Sequence, residues 1–163
     1  MRGGVSPTAI KVEISMIPMD IDTLYPLVTE AIRKAEVLEE LGAPGARDAY
    51  LNVSLLEEQI ARLIPASDEA GAIARRGAIG AAIDAREFQR AEELIAQYSI
   101  EIPLDAPLRR DLEELKSEAE NQRVQEAHHL SVLFPAAFAR YGGAAIQQFV
   151  LAFHDQGAPL PIR

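Results

Sequence analysis

From Asp22 onward the apolar residues of this chain recur at spacings of three and four almost to its end, with only short links between successive runs. That period matches the α-helical turn, so the chain is expected to form helices that each bury one stripe against a neighbour. The 27 alanines, set against five Phe, four Tyr and no Trp, agree with this. Alanine is the best helix former and carries no side-chain entropy to lose.

Leu24, Val28, Ala31, Ile32, Ala35, Leu38 and Leu41 mark a first helix, with Asp20 or Asp22 as its cap, Pro26 in or near its first turn and Gly42 beyond its end. Residues 46–64 place Ala49, Val53, Leu56, Ile60 and Leu63 on one face, closed by Pro65. Ser67 is the expected cap of a helix over 68–85, whose first turn holds Asp68 and Glu69, where the helix dipole favours acids. A fourth helix, 87–98, turns Phe88, Ala91, Leu94, Ile95 and Tyr98 inward, and Gln89, Arg90, Glu92, Glu93 and Gln97 outward. After a break at 99–106, Asp105 caps a long helix with the stripe Leu108, Leu112, Leu115, Ala119, Gln122, Glu126, Leu130 and Leu133. Pro135 ends or kinks it. A short piece at 136–141, a Gly142–Gly143 turn and a last helix at 144–155 follow.

The expected fold is therefore all-α, a six- or seven-helix bundle of antiparallel helix hairpins joined by short links. Residues 20–156 form a single helical domain, with a tail at 157–163. Residues 1–19 break the pattern, because Ile10, Val12, Ile14 and Met16 alternate with Lys11, Glu13 and Ser15 as a strand does. Three readings fit this N-terminal segment. It is disordered; or it is extended, pairing with a second copy or lying on the helices; or it precedes a true start at Met16 or Met19.

The hairpin 68–98 resembles a tetratricopeptide repeat in its second helix. Phe88, Ala91, Ile95 and Tyr98 fall at the offsets of that pattern and Pro103 follows at the expected distance. The resemblance covers about 35 residues. The first helix of the pair departs from it, and the link 84–87 is about two residues longer than the repeat pattern has it. Glu57-Glu58-Gln59-Ile60-Ala61 and Glu92-Glu93-Leu94-Ile95-Ala96 echo one another, as any amphipathic helix can.

Composition narrows the chemistry. A chain of this length buries roughly 68–70% of its unfolded surface, enough for a core of its own. The formal charge of −9 argues against nucleic acid as a partner. No run of about 18 apolar residues offers a membrane span. No leader pattern opens the chain, so a cytoplasmic location is expected. Having no Cys removes disulfides, thiolate metal sites and cysteine nucleophiles. No nucleotide-binding glycine motif and no Gly-x-Ser-x-Gly elbow occurs, so no cofactor is expected.

One polar interruption stands out. The stripe of the long helix turns polar at Gln122 and Glu126 before resuming at Leu130, and His129 follows Glu126 at i+3. This Glu-x-x-His spacing resembles half of a ferritin-like carboxylate metal site, since i and i+3 share a helix face. No second Glu-x-x-His is present. The favoured reading is a helix edge, with metal ligation by Glu126 and His129, or a polar contact through Gln122, Glu126 and His129, as alternatives. His128 points about 100° from His129, so the two do not easily share an ion.

Arg75–Arg76 and Arg109–Arg110 read as salt-bridged solvated faces, and Glu39–Glu40, Glu57–Glu58 and Glu92–Glu93 as outer-face acids. Gly77 and Gly80 inside the third helix imply a packing reason, and place that helix near the centre of the domain. Residues 20–69 hold eleven acids and four bases, whereas 127–163 hold one acid and two bases among many apolar residues. Ile146, Phe149, Val150 and Phe153 are the candidate interface there. The expected function is a non-enzymatic helical protein-interaction module that associates with a protein partner or with itself. The alternative is a small-ligand or metal-binding helical protein, or an enzyme, using Gln122, Glu126 and His129.

Overall fold

A computed structural model describes residues 19–103, 106–143 and 145–146, and among them every regular element is helical. The elements are α1 (Ile21–Glu40), α2 (Ala46–Leu63), α3 (Glu69–Asp84), α4 (Phe88–Glu101), α5 (Pro107–Leu133) and α6 (Pro135–Tyr141). None of these is long and apolar enough to cross a membrane. The expectations for Asp105 as a cap, for residues 1–18 and for most of the last helix lie outside the described residues.

Helix ends follow local chemistry. Asp20 Oδ1 accepts from the Thr23 amide at 2.9 Å, which holds its carboxyl below the usual range. At α3 the cap is Asp68 rather than Ser67, accepting from the Ala70 amide at 2.9 Å. Two helices end in the same turn. Beyond α1, Ala43 N–H reaches Leu38 O at 2.8 Å and Gly42 N–H reaches Glu39 O at 2.9 Å, with Gly42 at φ 57°. Beyond α3, Glu87 N–H reaches Ala82 O and Arg86 N–H reaches Ile83 O, both at 2.9 Å. Arg86 takes the left-handed position there, at φ 62°, which glycine usually fills. That turn occupies the link whose length breaks the repeat pattern.

Each helix packs on the next in the chain, and α3 also touches α5. Contact with α2, α4 and α5 makes α3 the central helix, as its small residues lead one to expect. It buries Gly71, Ala74, Arg75, Ala78, Ile79, Ala81, Ala82 and Ile83. The five residues expected inward on α4 are all buried. Two leucines expected inward are exposed. Leu63 lies nearly opposite the buried arc of α2, which centres between Ser54, Ala61 and Ile60 at 100° per residue. Leu133 ends a helix of 27 residues that overhangs the 16 residues of α3 and the 14 of α4. Its distal half has only α6 beside it.

The glycines of α3 divide by what faces them. A Cβ on Gly71 would lie 2.1 Å from the Pro65 carbonyl oxygen, one on Gly77 would meet the Glu57 carboxyl at 2.9 Å, and one on Gly80 would meet nothing within 4 Å. The packing reason inferred for Gly80 is therefore not found, while Gly71, which the pattern did not single out, has one. Gly71→Ala is expected to lower unfolding free energy by about 2–3 kcal/mol, because backbone must move. Gly80→Ala is expected to raise it by about 0.5–1 kcal/mol. Urea midpoints at constant slope would show the opposite signs.

Candidate functional site

Two polar clusters cross the helix interfaces, and the larger joins α2, α3 and α4. On α2, Ser54, Glu58 and Ala61 stand at i, i+4 and i+7 and share one face. That face is buried. Ser54 donates from Oγ to Ala78 O of α3 at 2.6 Å. From α4, Arg90 donates through Nε to Ser54 Oγ at 3.0 Å and through Nη2 to Glu58 Oε2 at 2.5 Å. Arg62 closes on the other Glu58 oxygen. Glu58 thus sits between two guanidiniums at 9% side-chain exposure.

Arg75 of α3 ties the ends of three helices together. Nη1 donates to Ile64 O, at the end of α2, at 3.0 Å and to Gly71 O, in the first turn of α3, at 2.9 Å. Nε and Nη2 converge on Glu101 Oε2 of α4 at 3.0 and 2.9 Å. The guanidinium lies over the Tyr98 ring, 5.3 Å from its centroid. The Tyr98 hydroxyl is fully buried and has no hydrogen-bond partner among the described residues. Burial pushes its ionisation up to about 12, ahead of the neighbouring Glu58 charge, so it remains a neutral donor.

These placements correct three expectations. Arg75 is not on a solvated face; only its neighbour Arg76 is, pairing with Asp111 at 3.0 Å. Glu57 and Glu58 are not outer-face acids. Glu58 is buried, and Glu57, half-buried in the middle of the α2 arc, has its carboxyl raised by burial to about 7. Arg90 stands at the edge of the buried arc of α4, and its length carries the guanidinium back to α2. The signal for Glu58 was in the sequence: Ser54 and Ala61 already marked its face. Arg109 caps the end of α4 through Ser99 O and Ile102 O, and Arg110 pairs with Glu114 on the surface.

The second cluster explains the polar interruption of α5. Gln122 Oε1 accepts from Arg86 Nη1 at 2.6 Å, and Glu126 accepts from Arg47 Nη2 at 3.3 Å. The two residues face cations at the end of α3 and the start of α2. His129 is exposed and does not join them, and no group of three metal-capable side chains forms among the described residues. Nearby, Tyr50 donates to Glu39 at 2.6 Å and Asp84 has its carboxyl raised by burial, then by Glu39 and Glu118. Of the candidate interface, Ile146 is covered by the chain itself at 6% exposure, and Phe149, Val150 and Phe153 lie outside the described residues.

Two clefts adjoin the first cluster. One of about 380 Å³ lies between the last turns of α2 and α4 and is lined by Arg62, Arg75, Gln97, Tyr98 and Glu101 with an apolar wall at Ala61 and Leu63–Pro65. The other, about 620 Å³, runs from Pro65–Glu69 and Ala72 to Ile102, Ala106 and Leu108. Both include Pro65 and Glu101, so they meet there. Comparison with protein-family models, with curated proteins and with solved structures finds no match to this chain, so the functional reading rests on its own geometry.

Proposed function

We propose that the chain is a helical protein-interaction module, an adaptor, scaffold or regulatory subunit built of antiparallel helix hairpins, that associates with itself through its C-terminal end. One observation carries this reading. The distal half of α5 and the short α6 leave Val124, Val132, Leu133 and Tyr141 more than half exposed, and α6 has no buried residue. Apolar surface of this kind gains by being covered. The tetratricopeptide-like reading of 68–98 is supported in its second helix alone, where Phe88, Ala91, Ile95 and Tyr98 are all buried.

Charge supports a second copy as the occupant. Residues 1–126 hold 24 acids and 14 bases, while 127–163 hold one acid and two bases. Two acidic bodies repel one another, whereas the near-neutral apolar ends can meet without that cost. Equilibrium sedimentation of the full chain at micromolar concentrations is expected to give a dimer. Val132→Asp, at an exposed position that spares the fold, is expected to weaken dimerisation by about tenfold or more. A monomer across that range, or a dimer unaffected by the substitution, would remove this reading.

A further inference from the structure

We propose that the cleft between the last turns of α2 and α4 binds an amphiphilic carboxylate, its anionic head held by Tyr98 and Arg62 and its apolar body lying across Pro65 into the adjoining cleft. The starting point is the orphaned hydroxyl. Tyr98 is 1% exposed, and its Oη has no partner, although buried polar groups in folded proteins nearly always have one. Phenylalanine would fill the same space without that cost. The ring lines the cleft, so an acceptor seated there would satisfy the group.

The charges point to an anion. Arg62, Arg75 and Arg90 face only Glu58 and Glu101 in this network, an excess of one guanidinium within a chain of net −9. Glu101 does not repel an incoming carboxylate strongly, because Arg75 holds Oε2 and Gln97 Nε2 donates to Oε1 at 3.3 Å. Among the described residues Arg62 engages Glu58 through Nη2 alone. Its Nε and Nη1 donors remain at the rim, with the side chain 58% exposed. Guanidinium and hydroxyl together suit a carboxylate, which accepts from both.

Beyond the head, the walls become apolar. Ala61, Leu63 and Ile64 border the first cleft, and Ala72, Ile102 and Leu108 the second. A ligand that is charged throughout would leave this surface unused. One with a carboxylate and a hydrocarbon body uses both parts, which is the usual character of a small-molecule site.

Titration calorimetry of the full chain with octanoate, and in parallel with 1-octanol, tests the assignment. Octanoate is expected to bind saturably, and octanol about tenfold more weakly, for want of the charge-assisted bonds. Tyr98→Phe and Arg62→Gln are each expected to weaken octanoate binding by about tenfold. Tyr98→Phe should melt no lower than the parent, which separates lost binding from lost fold. Three outcomes overturn the proposal: no saturable octanoate binding in the millimolar range, equal binding of octanol, or unchanged affinity in Tyr98→Phe. The first of them would assign the hydroxyl to an ordered water.

Discussion

Replacing Arg75 by methionine will lower the unfolding free energy by about 3–5 kcal/mol, whereas the same change at Arg76 will stay within about 1 kcal/mol. The two residues are adjacent in sequence and identical in chemistry, so the contrast isolates environment. The Arg75 side chain is 7% exposed and donates to two backbone carbonyls and to Glu101. Methionine keeps much of the packing on Tyr98 but leaves Ile64 O and Glu101 without that donor. A buried partner stripped of its counter-charge costs more than the pair contributes. Arg76 is 47% exposed, and its pairing with Asp111 is screened by water. Urea denaturation of both variants measures the difference. Equal effects at the two positions would mean that Arg75 is not the clip between the ends of α2, α3 and α4.

The neighbouring glutamates of α2 are expected to behave oppositely. Glu58→Ala will destabilise by about 3 kcal/mol, since it leaves Arg90 partly buried without its carboxylate and removes one of the two acceptors that hold that guanidinium against Ser54. Glu57→Gln will stabilise the protein at pH 8. Burial raises the Glu57 carboxyl from its ordinary 4.5 to about 7, and no cation pairs with it among the described residues.

The sign follows from proton binding. Between pH 4.5 and about 7 the folded chain keeps a proton that the unfolded chain has released. Its contribution is therefore fully present below 4.5 and is lost as pH rises through about 7. Discounted for the solvent that still reaches the group, the loss is about 1–2 kcal/mol. Glu57→Gln should remove that loss and narrow the stability difference between pH 5 and pH 8 by the same amount. Stability profiles that stay parallel for parent and variant would place the Glu57 carboxyl in water. Gly77 bears on the same site, since a methyl there would press on the Glu57 carboxyl.

What could be read from the sequence was mostly periodic. Helix positions from α1 to α6, the inward face of α4 and the centrality of α3 follow from three-and-four spacing, proline and glycine punctuation and side-chain size, all of which act within a few residues. The polar interruption at Gln122 and Glu126 was visible too, but its partners were not. Arg86 and Arg47 lie far off in sequence, and only the crossing of α5 over the ends of α3 and α2 brings them there. The same limit hid the main cluster. Glu57 and Glu58 look like the surface acids of any amphipathic helix, and Arg75 and Arg90 like its surface cations.

Periodicity, set by backbone geometry, determined by itself that this chain forms helices and roughly where each begins and ends. Tertiary structure decided which charges are buried. A long Glu or Arg side chain takes its environment from whichever helix lies opposite, and the charge is tolerated there because a partner from another helix arrives with it. Arg75, Glu58 and Tyr98 acquire their character in that way. The excess of acids over bases in the chain describes its surface, while its interior carries a small surplus of arginine.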